Sequence, residues 1–519
     1  MNFLSILLIL SIAIISVPIS FSYQDERKNN DDNDIMDIVI LNGRVIDPET
    51  MLDDIRNVGI RNGTIVSVTN ETINGKEIIN ATGLVVSPGF IDTHWHGIDP
   101  FATKLGISDG VTTGMDLEVG VYDVEKFYKE REDKWKMNYG TTVGHLFARM
   151  VVLSDIILQD FTDASNAIGE AAIENEAAWS IKTPNEEEHI AILKILDKGL
   201  KEGAIGIGSA LRYMSNGVDA REMFEVQKLA GKYDRLTDVH TRFALDPPPN
   251  EFVLGGHEII ANAFVLNSPV LFPHINNPGW DLAAEMLELS RDNGLTAWGE
   301  YYPYVAGLYF ISTEFLSPER LEEEGKNASE TVLDPTTGKF LSEEELKETR
   351  KIDPGRIIIA FLRPSEWIVE WIKSPGLTVA SDSMLGLDKN GTLLKEDAPF
   401  EEYTGHPRTA GTHGKVLKMA KENNIPLMHV IKSMSYLPAK YLGDTGLDAM
   451  NDRGRIQEGR VADITIFNPE TVTDNATYLD GENGLPTTGI PYVIVNGEFV
   501  IKDSNFLYDV YPGQPIRFE

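Results

Sequence analysis

The stretch that most constrains the fold is Val85-Val86-Ser87-Pro88-Gly89-Phe90-Ile91-Asp92-Thr93-His94-Trp95-His96-Gly97, an apolar strand that ends in His-x-His. Side chains alternate faces along a strand with period two, so His94 and His96 point one way while Trp95 points back. Two imidazoles on one side of a strand end make half a metal site; they also suit a pair of ordinary hydrogen-bonded strand histidines. Further donor-type residues downstream, each at the end of a strand-like segment, favour the metal.

From residue 85 to about 382, short apolar runs alternate with amphipathic segments. The strands fall at 84–91, 112–118, 140–145, 204–210, 237–241, 270–274, 296–302 and 377–381, and helix-like segments at 124–135, 187–203, 220–233 and 282–293. Strand then helix, repeated about eight times, predicts a parallel sheet and most simply a (β/α)₈ TIM-like barrel, whose site lies at the C-terminal strand ends. His94, His96, Glu118, His240, His274 and Asp382 all fall at such ends. Four imidazoles and two carboxylates suit one or two divalent ions such as Zn²⁺. The chain has no Cys, which removes thiolate ligands and disulfides alike.

The flanks read differently. Residues 37–84 hold short alternating runs split by Asn42-Gly43, Asn62-Gly63 and Asn74-Gly75, pairs that supply the positive φ of tight turns, and so predict an antiparallel β module. Residues 451–519 read as strands again, and most simply join the first module in a small β-sandwich domain built from both ends, leaving 85–450 to the barrel. The Glu- and Lys-rich stretch 317–353 reads as a solvated insertion. Residues 1–22 are an apolar leader resembling a signal peptide, followed by a polar linker over 23–36. The expected location is secreted or periplasmic, with an uncleaved membrane anchor as the alternative. A formal net charge of -34 disfavours nucleic acid and anionic membranes as partners.

Pro88-Gly89-Phe90-Ile91-Asp92-Thr93-His94-Trp95-His96, the separated His240 and His274, the late Asp382 and the closing Arg455-Ile456-Gln457-Glu458-Gly459-Arg460-Val461-Ala462-Asp463 together resemble the amidohydrolase superfamily of metal-dependent hydrolases. Within it the chain is most similar to N-acyl-D-amino-acid deacylases, especially the N-acyl-D-glutamate deacylase-like branch. The similarity rests on Asp47-Pro48-Glu49-Thr50, Asp109-Gly110-Val111-Thr112-Thr113, Asn138-Tyr139-Gly140, Gly203 to Gly208, Tyr302 to Gly307 and His406-Pro407-Arg408. It implies hydrolysis of a small-molecule N-acyl-D-amino acid, with Asp382 accepting the proton of water and passing it to the leaving amine. If two ions bind, His94, His96 and Asp382 hold one, His240 and His274 the other, and Glu118 bridges.

The chain departs from that family twice. D-aminoacylases carry a Cys where Glu118 or Val119 stands, and many carry a Lys where Asn276 stands. By resemblance Arg408 anchors the substrate carboxylate and Tyr213 and Tyr302 line its pocket, while strand periodicity makes Arg242 a second anchor candidate. Two alternatives stay open: a cyclic-amide hydrolase of the dihydropyrimidinase kind, and a non-catalytic secreted barrel.

Overall fold

The computed structural model describes residues 35–158, 177–243, 252–313 and 316–519; the leader at 1–22 and nearly all of the linker lie outside the described residues. Eight parallel strands follow one another around the barrel: β1 Phe90–Asp92, β2 Val111–Val121, β3 Asn138–Gly144, β4 Gly206–Ser209, β5 Leu236–Val239, β6 Val270–Phe272, β7 Ala297–Tyr301 and β8 Thr378–Val379. These strands are buried on both faces, which explains their apolar and Thr-rich runs. Beyond β8 the chain returns to β1, where the Asp92 carboxylate accepts the Ser381 N–H at 3.0 Å and Trp95 bridges in parallel to Ser383.

Helices predicted from periodicity appear at Val124–Arg131, Glu186–Lys201, Ala220–Gly231 and Trp280–Asp292. The second starts where Asn185 accepts the Glu188 N–H and Glu188 takes the Asn185 N–H in return, which satisfies two N-terminal donors.

The run 84–91 is not one strand. It breaks at Gly89: Val85–Pro88 pairs with Ile464–Phe467 in an outer sheet, and Phe90–Asp92 opens the barrel. The outer sheet holds nine strands from both ends of the chain, and it is mixed rather than antiparallel, because Met36–Asp47 runs parallel to Gly75–Asn80 and Val85–Pro88. Asn62-Gly63 does turn the hairpin between Leu52–Arg61 and Thr64–Thr69, with φ of 49° and 75°. Asn42-Gly43 instead forms a bulge inside Met36–Asp47, where the register slips between Ile40 and Gly43.

The stretch 317–353 is also more than a solvated face. Ala306–Phe310, Val332–Asp334, Lys339–Phe340 and Ile357–Phe361 form a four-stranded antiparallel sheet. It closes over its own core of Leu316, Leu321, Val332, Leu346, Ile358 and Ala360. Among the described residues no helix is long and apolar enough to cross a membrane.

Candidate metal centre

Strand alternation sets up the first half of the site. Beyond β1, His94 and His96 turn to the barrel axis with their Nε2 atoms 3.0 Å apart. Trp95 turns outward into the core, where Gly106 and Gly114 make room: a Cβ on either would lie 2.4 or 2.9 Å from the indole. β2 supplies Glu118 from a bulge. Between Asp116, opposite Thr141, and Val121, opposite Val143, the chain loops inward, and the Asp116 carboxylate caps the loop by accepting the Val119 and Gly120 N–H groups at 3.1 Å.

All six donors read from strand ends meet here. Glu118 Oε2 lies 3.2 Å from Nε2 of both His94 and His96. Its other oxygen, Oε1, lies 2.8 Å from His240 Nδ1 and 3.1 Å from His274 Nε2. Asp382 Oδ1 stands 3.5 and 3.8 Å from the two nitrogens of the first pair. One carboxylate thus presents an oxygen to each of two histidine pairs. His274 and Asp382 hold left-handed φ of 30° and 51°, backbone strain of the sort that persists where a site demands it.

These donors fit a divalent cation. Although His240 Nδ1 and Glu118 Oε1 are in close contact, they do not meet as a hydrogen bond; they converge on common space instead. A tetrahedral ion with bonds of ~2.0–2.1 Å separates its ligands by roughly 3.4 Å, which suits the spacings found. Protonation answers to the same charge demand. Burial works to lower His94, but the Glu118 and Asp382 carboxylates outweigh it and raise it well above the usual imidazole range. Against the same burial, Asp116 and Glu118 lift His96 to about 9. Burial would raise Glu118, yet His240 and His94 hold it well below the carboxylate range. His240 is lowered by its burial. The carboxylates gathered here favour positive charge at this centre.

Sequence reasoning missed the buried carboxylates behind these histidines. Glu300 on β7 takes His94 Nδ1 at 2.6 Å and the Thr93 hydroxyl at 2.5 Å, which aims His94 Nε2 at the centre. Asp116 stands 3.2 Å from His96 Nδ1. Its signal was present, because it lies two residues before Glu118. Asp238, two residues before His240, is fully buried with neither oxygen hydrogen-bonded, and burial beside Glu300 and Glu118 pushes it well above the carboxylate range.

The expected substrate contacts separate. Tyr213 meets His240 edge-on, with ring centres 5.5 Å apart, and Tyr302 meets His274 likewise at 6.5 Å. Arg408 stacks on Tyr302 at 4.9 Å, but its Nη2 is 2.9 Å from Asp382 Oδ1, so its charge is already matched. Arg242 does not face the site: β5 ends at Val239, the alternation stops there, and the guanidinium pairs with Glu258 at 2.7 Å. The Asn276 side chain is also engaged, donating to the Tyr302 carbonyl at 2.7 Å.

No family model matches the chain. It is 24% identical to an N-acyl-D-glutamate deacylase of Alcaligenes xylosoxydans xylosoxydans, over 89% of this chain and 93% of that one. It is 25% identical to a D-aminoacylase of the same organism, over 92% of this chain and 96% of that one. Among solved structures, the N-acyl-D-glutamate deacylase of Bordetella bronchiseptica, complexed with zinc and a phosphonate inhibitor, superposes with a TM-score of 0.74 at 21% identity, covering 93% of this chain and all of that one. These two relatives, aligned almost end to end with this chain, are thus N-acyl-D-amino-acid deacylases, and the solved structure of another has the same barrel fold.

Proposed function

We propose that the protein is a metal-dependent hydrolase of carbon–nitrogen bonds other than peptide bonds, and that it releases the acyl group of N-acyl-D-amino acids, N-acyl-D-glutamate among the substrates to be tried. The observation that carries this reading is Glu118, one oxygen toward His94 and His96 and the other toward His240 and His274, with Asp382 beside the first pair. The D configuration and the acyl group rest on the likeness to the deacylases.

His94, His96 and Asp382 would hold one divalent ion, and His240 and His274, which both face Glu118 Oε1, a second, with Glu118 between them; Zn²⁺ suits the donors. Such an ion supplies Lewis acidity toward water and toward an amide carbonyl. Asp382 then does the proton work: its carboxylate takes the proton of the attacking water and delivers it to the departing nitrogen. Arg408, on Asp382 Oδ1, holds that carboxylate in place. Tyr302 and Tyr213 wall the approach to His274 and His240.

A cyclic amide is the second substrate class to try, although the dihydropyrimidinase-like enzymes bridge with a Lys, and Glu118 stands at that position here. Incubating the metal-loaded protein with N-acetyl-D- and N-acetyl-L-amino acids, measuring free amine, and with a cyclic ureide, measuring the ring-opened ureido acid, decides between them. Release from the D series is expected, and release from the L series alone refutes the stereochemical reading. We also propose that the enzyme acts outside the cytoplasm, on the strength of the apolar leader at 1–22. An N-terminus starting near residue 23 in exported protein supports this, and an intact leader on cytoplasmic protein refutes it.

A further inference from the structure

Two neighbouring helices on the outside of the barrel carry apolar side chains that the described residues leave uncovered. Helix Phe252–Leu266, after β5, has one charged residue, Glu258, and Arg242 pairs with it at 2.7 Å. From Ile259 to Trp280 the chain holds no Asp, Glu, Lys or Arg. The inward face of this helix is spent on the core through Val253, Ile259, Ile260 and Ala263. Yet Leu254, His257, Ala261, Phe264 and Val265, spaced along one side at helical intervals, are exposed, Val265 to 77%. A helix apolar on both faces belongs inside a protein or at an interface.

The next helix, packed beside it, continues the surface. On Trp280–Asp292, Leu282, Met286 and Leu289 share one side, and the exposed Asp281, Glu285, Glu288 and Asp292 share the other. Asn262 donates to Gln227 on helix Ala220–Gly231 at 2.9 Å, so that side of Phe252–Leu266 faces the preceding helix. Phe264, about 200° further round, faces the following one. The right-handed winding of the barrel turns Leu282, Met286 and Leu289 back toward Phe264 and the acidic row away. Leu254, Phe264, Val265, Leu282 and Leu289, 40–77% exposed, together offer roughly 500 Å² of apolar surface, near the top of the range for the largest patch on a monomer. A standard interface takes about 800 Å² from each partner, of which roughly 450–520 Å² is apolar. The patch has the size a stable dimer needs.

We propose that this face joins two copies of the chain about a twofold axis, helix Phe252–Leu266 of one protomer against that of its partner. Charge selects the occupant. Two chains that each carry a net charge of -34 repel wherever charged surfaces meet, so they associate across a face that carries none. A twofold contact puts the same patch on both sides, and an uncharged apolar patch complements itself. A cationic partner would be drawn to acidic surface instead, and an anionic membrane is repelled. The contact lies on the outer ring, away from the mouth of the barrel. It braces the two strand–helix units, β5 and β6 with the helices after them, whose strand ends lead into His240 and His274.

Sedimentation velocity of the purified protein from about 1 to 100 μM, the weak end of what interfaces of this size deliver, tests it. Wild type should sediment as a dimer that dissociates on dilution, or as a dimer throughout. Val265→Glu and, separately, Leu289→Glu put like charges on both sides of the contact, and each should raise the dimer dissociation constant by about 100-fold or more. Ile352→Glu, at a position 73% exposed on helix Glu343–Ile352, should leave it unchanged. The melting temperature of wild type should rise with protein concentration across the range where the dimer forms, and that of Val265→Glu should not. Circular dichroism checks that each variant is folded, and the wild-type measurement stands without them. A wild type that stays monomeric at about 100 μM overturns the proposal, as does a dimer that both Val265→Glu and Leu289→Glu leave intact. Capture of the monomer by phosphatidylcholine vesicles in place of self-association also overturns it. None of these readouts uses amide release, so they hold whatever bond the enzyme cleaves.

Discussion

At the scale of single residues, Asp382 and Glu300 carry the sharpest consequences. Asp382 faces His94 and His96 with 15% of its side chain exposed. Asp382→Asn keeps the shape and removes the base, so kcat for amide release should fall by about 10³-fold or more with KM little changed. An active Asp382→Asn enzyme would remove this residue from the mechanism. Glu300 touches no substrate; it fixes the His94 ring from behind. Glu300→Gln should therefore weaken divalent-ion affinity by about 10–100-fold, read by competition with a chromophoric chelator, and unchanged affinity would deny it that role. That these six side chains would converge was legible in sequence because alternation along a strand is a local rule, and each stands at or just beyond a strand end. Arg242 misled for the same reason, since the rule ends with the strand at Val239.

At the scale of elements, the wall behind the site is held by a buried network. His145, opening helix His145–Ser154, has Nδ1 3.0 Å from the Ser209 hydroxyl at the end of β4 and Nε2 2.9 Å from Glu222 on helix Ala220–Gly231. Arg149 grips both oxygens of that carboxylate at 2.6 Å and donates to the Trp179 carbonyl at 2.7 Å. Ser180 in turn donates to the carbonyl of Tyr213, so the network reaches the site wall. Burial would raise Glu222, but His145 and Arg149 draw it down to about 2. A carboxyl depressed in the fold stabilises it fully above its unfolded value near 4.5, and that contribution disappears as pH falls toward 2. Burial lowers His145, so the fold also favours the neutral ring and weakens as pH drops below the ordinary imidazole value. Glu222→Gln should cost on the order of 3 kcal/mol at neutral pH, with the gap from wild type narrowing below about pH 4.5. Urea unfolding at several pH values measures both, and a gap independent of pH would contradict the assignment.

At the scale of the whole molecule, the sequence foretold the barrel and its satellite sheet more fully than it foretold their seam. The two ends of the chain meet where Asp47 accepts the Ile456 N–H at 3.1 Å and Glu49 pairs with Arg455 at 2.9 Å. Both segments had been singled out separately, but a contact across some four hundred residues leaves no mark in local periodicity. The break at Gly89 was hidden likewise, since two short strands in line read as one apolar run. These joints fix β1 at its start and so set where His94 and His96 emerge. Everything proposed for the reaction depends on those histidines sharing one cation-binding centre with Glu118, His240, His274 and Asp382. The most direct test is elemental analysis of the protein after loading with Zn²⁺ and gel filtration, comparing wild type with His94→Ala and His240→Ala. Wild type should retain one or two ions per chain, and each substitution should lose at least one. A wild type that retains none, or variants that bind as wild type does, would contradict the shared centre.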